Sequence, residues 1–169
     1  MSSIESNSIS YMQELGNDIA NYIDRVLGSS GKDKFDAYMT EGNMIPMFKD
    51  MGDGMLIGQF RYTAVFSIED MPTTKIDPYV VMARVMAWIT DYDREREKHN
   101  LKAPLVNIDA YNNGTLADME ITSEFVESIT AKLAPDGETG DITFAGKEWN
   151  VQPYVVYVAE DGEVMPNDA

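Results

Sequence analysis

Histidine is the side chain best suited to moving protons near neutral pH, and this 169-residue chain has one, His99. It closes the charged run Asp91–His99, beside Lys98 and Asn100, with no serine or cysteine pattern of a nucleophile elbow near it. A surface histidine is expected there, not a catalytic base. The chain has no cysteine, which removes thiolate nucleophiles, thiolate metal sites and disulfides. Gly52-Asp53-Gly54 has the look of a phosphate loop but lacks the remaining glycine spacing and a following Lys-Ser/Thr, so it reads as a flexible turn. Carboxylates are plentiful, and with 29 acidic residues chance pairs are unavoidable, so spacing alone is poor evidence of acid-base or metal chemistry. Carboxylate oxygens suit calcium or magnesium, yet no EF-hand spacing occurs. No catalytic, cofactor-binding or metal-binding residue is assigned.

One carboxylate pair stands apart. Val106, Ile108 and Ala110 alternate with Asn107 and Asp109 up to Asn113-Gly114, the strongest short hairpin signal, after which Leu116 to Thr122 alternate again. With Asn113 and Gly114 in the turn, Ala110 faces Ala117, Ile108 faces Met119 and Val106 faces Ile121, so the apolar sides coincide and should pack inward. The other side sets Asp109 against Asp118 and Asn107 against Glu120, with Glu124 further along. Opposed like charges cost some tenths of a kcal/mol. Four explanations fit: solvent screening, a facing arginine from another subunit, a bound cation, or a repulsive channel lining.

The elements that would position this hairpin follow from periodicity. Ser10 and Gln13 form a capping box, and Tyr11, Leu15, Ile19, Tyr22, Ile23 and Val26 give a helix over about 10–27, stopped by Gly28. A short helix is expected around Lys32–Thr40, then an irregular connection marked by Gly42, Pro46, Gly52 and Gly54. Met44, Met47, Met51 and Met55 crowd that connection, either to meet a partner or to fold back on the core. The even positions from Leu56 to Ile68 predict a long half-buried strand. Asp77-Pro78 starts a second helix with an apolar stripe of Val81, Val85, Trp88, Ile89 and Tyr92, and Asp91–His99 is its solvated end or a rim contact. Pro135 to Asp141 is a loop, residues 142–151 a hairpin around Gly146, and Tyr154–Val158 a last strand candidate. Trp88 and Trp149 are both expected as core fillers. The acidic end, about residues 160–169, is expected to fray.

A chain of this length buries roughly 70% of its unfolded surface, and 44% hydrophobic residues are enough for a core. The expectation is therefore one domain over residues 1–169: α+β, a mixed or antiparallel sheet with two main helices packed on it. No run is apolar and long enough for a membrane span, and the N-terminus lacks a signal-peptide pattern, so synthesis and residence in the cytoplasm are expected. Thirteen basic against 29 acidic residues give −16, which opposes binding to phosphate backbones. The charge serves solubility, lines a channel past which DNA slides, or mimics DNA.

The segments YTAVFSIEDM, MARVMAWITDY and VNIDAYNNGTLADMEIT, in this order, resemble the tail completion protein R family of temperate bacteriophages with contractile tails. The likeness extends over about residues 56–165, with Ala87-Trp88, Ile108-Asp109 and Asn112-Asn113 as its best points, while residues 42–55 look like an insertion. The resemblance implies a structural virion subunit and no catalytic residues. It implies a tail-terminator-like ring, commonly of six, on the last tube ring at the head-proximal end, in contact with tube and sheath proteins and the head-tail connector. DNA would pass its lumen without specific binding, and the protein would reside in the virion tail after assembly in the host cytoplasm. Two other classes compete: an acidic DNA mimic that inhibits a nucleic-acid-binding protein, with Asp109, Asp118, Glu120 and Glu124 as its carboxylate face, and a small carboxylate hydrolase with a concave site and a strongly shifted acid.

Overall fold

Two 18-residue strands, β2 (Met55–Pro72) and β4 (Leu116–Leu133), pair antiparallel from Met55 opposite Ala131 to Pro72 opposite Leu116. Their alternation is the cause: Tyr62, Ala64, Phe66 and Ile68 face one side together with their partners Phe125, Ser123, Ile121 and Met119, and all eight are buried. The structure, a computed structural model, describes residues 10–153, apart from the side chains of Ser30 and Lys32.

Helix α1 (Tyr11–Leu27) begins where the Gln13 N–H donates to the Ser10 hydroxyl at 3.1 Å, and it ends at Gly28, whose φ of 71° suits glycine. Its stripe of Leu15, Ile19, Tyr22 and Ile23 is buried. Helix α2 (Pro78–Tyr92) is capped by Asp77, which accepts the Tyr79 N–H, and buries Val81, Val85, Trp88 and Ile89. Both stripes lie over the buried face of β2 and β4, forming one core.

The helix expected at Lys32–Thr40 is not formed. A short 3-10 helix (Gly28–Lys34) leads directly into strand β1 (Phe35–Asp50), antiparallel to β2. The period was two: Phe35, Ala37 and Met39 share the face of their partners Ile68, Phe66 and Ala64, and the ladder overrides local propensity. The irregular connection of residues 42–55 is likewise the outer half of β1 with its turn. Gly42 and Pro46 flag register shifts after Thr40 and after Pro46, tolerable because β1 is an edge strand. Gly58 permits the close crossing there, since a Cβ would sit 2.4 Å from the Ile45 carbonyl oxygen. Met44, Met47 and Met51 are exposed, whereas Met55 is buried.

After α2 the chain forms one turn of helix, α3 (Glu95–Lys98), then strand β3 (Leu105–Tyr111), β4, and a small hairpin of β5 (Ile142–Phe144) and β6 (Lys147–Val151). The sheet order is β1-β2-β4-β6-β5, with β3 also on β4, and every pairing is antiparallel. The sheet curls enough for Phe48 of β1 to stack on Phe144 of β5, ring centres 4.2 Å apart. Trp149 is not the core residue expected. It is half-buried in the β5–β6 hairpin, its indole N–H donating to the Phe144 carbonyl at 3.1 Å, because only a short stretch of β6 joins the main sheet. The strand candidate Tyr154–Val158 and the acidic end lie outside the described residues.

Trp88 lies edge-on to Tyr11 and Phe125, with ring centres 5.8 and 6.3 Å away. Trp88→Ala should therefore cost about 3 to 5 kcal/mol, read by chemical denaturation; a loss under about 1 kcal/mol would contradict this packing.

Candidate assembly surface

The β3–β4 hairpin has the register its sequence predicts, with Ala110 opposite Ala117, Ile108 opposite Met119 and Val106 opposite Ile121. Asn113 and Gly114 occupy the turn with φ of 58° and 80°, closed by the Thr115 N–H to the Asn112 carbonyl. The burial differs from expectation. Met119 and Ile121 are in the core, but Val106 is 45% exposed, Ile108 41% and Leu105 70%. The helices cover β2 and β4, and β3 packs only along the edge of β4. An apolar edge strand thus faces solvent, as does the far edge of β1, where Tyr38, Met39, Met44 and Ile45 are exposed. Between α1 and β1 runs a groove of about 550 Å³, lined by Gly16, Ala20, Phe35, Ala37, Met39 and Glu127 among others.

Asp109 does stand opposite Asp118. Asp118 is occupied: its Oδ1 accepts the Asp70 N–H at 2.9 Å and the Tyr111 hydroxyl at 3.4 Å. It thereby holds the irregularity after Ile68, where Asp70 has a φ of 51°. The Tyr111 hydroxyl also donates to Asp70, a bond that pushes its ionisation upward. Glu124 pairs with Arg61 at 3.3 Å, and Asp109 is exposed. Among the described residues no three His, Asp or Glu side chains cluster so as to hold a metal ion. Gly52-Asp53-Gly54 is the β1–β2 turn, closed by the Met51 N–H to the Gly54 carbonyl. His99 is half-buried, 3.3 Å from Glu95 and 3.4 Å from Gln59.

The run Asp91–His99 is not a solvated helix end. The chain turns at Asp93, which is buried and pairs with Arg96 at 3.1 Å. Arg96 also donates to the Lys102 and Glu124 carbonyls at 2.6 and 2.7 Å and to the Ser123 hydroxyl at 2.8 Å, with its guanidinium 5.7 Å from the Phe125 ring centre. A planar donor fork suits tying these chain segments to the edge of β4, and the side chain is half-buried there. Glu127, also buried, accepts the Tyr11 N–H at 2.9 Å and the Tyr62 hydroxyl, so a strand carboxylate caps the start of α1. Periodicity missed both clusters, because each joins residues far apart in the chain. The alternation of Phe35, Ala37 and Met39 is the signal that points to β1, hidden by the breaks at Gly42 and Pro46.

Burial raises the pKa of Glu127, partly offset by the Tyr62 and Tyr11 hydrogen bonds, and burial likewise raises that of Asp93 against the pull of Arg96. Burial and the nearby carboxylates raise Tyr62 and Tyr11 as well. For an acid whose folded pKa exceeds its unfolded value, the folded state holds the extra proton, so stability falls as pH rises from the ordinary carboxylate range through the folded value. Thermal melting should therefore show the protein gaining stability as pH falls from neutral toward the ordinary carboxylate range. Glu127→Gln, which keeps both acceptor contacts, should flatten that slope; an unchanged slope would contradict the assignment.

A model of the P2 phage tail completion protein R (GpR) family matches residues 18–153. The "Uncharacterized 19.2 kDa protein in rep-hol intergenic region" of Haemophilus phage HP1 is 22% identical over 132 residues, 78% of this chain and 77% of that protein. No solved structure matches the chain. The match spans α1 from Asp18, α2, all six strands and the edges just described. The chain belongs to the P2 phage tail completion protein R family and so has a structural role in a phage tail, in association with other tail components.

Proposed function

We propose that this protein, folded as one domain over residues 1–169, completes the head-proximal end of a contractile tail as a closed ring, a hexamer by preference, and supports head-tail joining. The observation that carries this reading is a pair of open apolar strand edges on opposite flanks of one sheet, β1 and β3. Different patches on one subunit make a heterologous interface, which closes into a ring when the rotation fits. Tube and sheath proteins and the head-tail connector are its neighbours, the virion tail its destination and the host cytoplasm its place of assembly.

The polar interior fits a non-enzymatic role. Glu127 and Asp93, the acids that burial shifts, each bind the protein's own donors through one oxygen, the other oxygen of Asp93 being buried without a partner, and they serve α1 and the β4 edge. Charge of −16 per copy, gathered around a pore, would keep passing DNA from sticking. The DNA-mimic reading loses support because Asp118 and Glu124 are engaged within the fold, which interrupts its carboxylate array.

Phage lacking this protein should still build tube and sheath but give tails of irregular length, or tails that cannot join heads. Electron microscopy of the deletion lysate reads this, and normal infectious virions would contradict it. Purified protein should associate more readily at high salt, where like charge is screened. A strict monomer at every salt that also ignores purified tail tubes would overturn the ring.

A further inference from the structure

Strand direction alternates across the sheet, so β1 and β3 run opposite ways. A neighbour related by rotation about a ring axis can therefore set its β3 beside β1 and continue the antiparallel pattern across the boundary. We infer that β3 of one copy adds to the β1 edge of the next, with Val106 and Ile108 entering the α1–β1 groove and Asp109 meeting Lys34. The inference rests on the ring reading above and specifies its contact.

Three features select this pairing. First, both edges are unprotected where they meet, Leu105–Ile108 along Phe35–Tyr38. β3 has seven residues with no proline, lysine or bulge to protect its edge, and β1 has six, Phe35–Thr40, before the irregularity at Glu41 and the missing N–H of Pro46. Second, the faces agree. Val106 and Ile108 lie on the helix-covered side of β3, and Phe35, Ala37 and Met39 on the same side of β1, where the groove is apolar. Exposed knobs thus meet an open groove.

Third, charge fixes the register. With Val106 beside Ala37 and Ile108 beside Phe35, Leu105 covers Tyr38 and Asp109 lands beside Lys34, whose ammonium already reaches the Asp70 carbonyl at 3.1 Å and keeps further donors. Sliding two residues one way sets Asp109 against Asp36. Sliding two the other way sets Val106 against Phe35 and carries Ile108 past the end of β1 to Asp33 in the 3-10 helix. An isologous pairing of β3 with β3 would leave the groove empty.

The chain has no cysteine, so single-cysteine variants report neighbours cleanly. Val106→Cys and Ala37→Cys are prepared separately at a salt where wild-type scattering shows assembly, then oxidised alone and mixed. The expected result is a crosslinked dimer in the mixture only. Crosslinking of Val106→Cys alone would show β3–β3 pairing, and no crosslink in an assembled mixture would show another surface; either overturns the inference while leaving the ring. Failure of the wild type to assemble, alone or on purified tail tubes, would instead remove the ring. As a second measurement, Asp109→Lys and Lys34→Asp should each lower the association constant about fivefold at low salt, and the two in one chain should restore it. Absence of restoration overturns the register.

Discussion

The ladder between β2 and β4 is the constraint on which the rest of the structure depends. Each strand is long enough, about 60 Å at 3.3 Å per residue, to carry other elements at both ends. Its register is set by rows of buried side chains, Tyr62 to Ile68 against Phe125 to Met119, and a slip of one residue would turn the slipping strand's row toward solvent. Strand β1 joins one flank of this ladder, β3 and β6 join the other, and the helices cover one face. The open edges are a consequence: a ladder this long, flanked by shorter strands, leaves backbone and apolar side chains uncovered.

Buried and half-buried polar groups tie the helical layer to the ladder. Glu127 reaches from β4 to the first turn of α1, and Arg96 binds the corner after α2 to the carbonyl of Glu124. Such groups bring a desolvation cost, reflected in the raised pKa values of Glu127 and Asp93. Fixed position is what they supply: α1 is held beside β1, and the groove between them keeps its shape.

The sequence made α1, α2, the long strand and the Asn113-Gly114 register legible because each has a strong local signal: a capping box, an Asp-Pro start, alternation, a turn dipeptide. Strand β1 was obscured by Gly42 and Pro46, which signal breaks in isolation but sit at bulges in an edge strand held by β2. The exposure of Val106 and Ile108 was not legible, because alternation shows which side of a strand is apolar but not how far a helix reaches across the sheet. Arg96 was read as surface because its partners at Lys102, Ser123 and Glu124 are brought to it by tertiary folding alone.

Family membership and open edges converge on a protein that acts by being placed between other tail components. The most direct test is to locate it in the finished particle, by cryo-electron microscopy of virions carrying a small C-terminal tag. The account predicts one ring of tag density where tail meets head, with none along the tube. Density at the baseplate, along the tube or nowhere in the virion would contradict it.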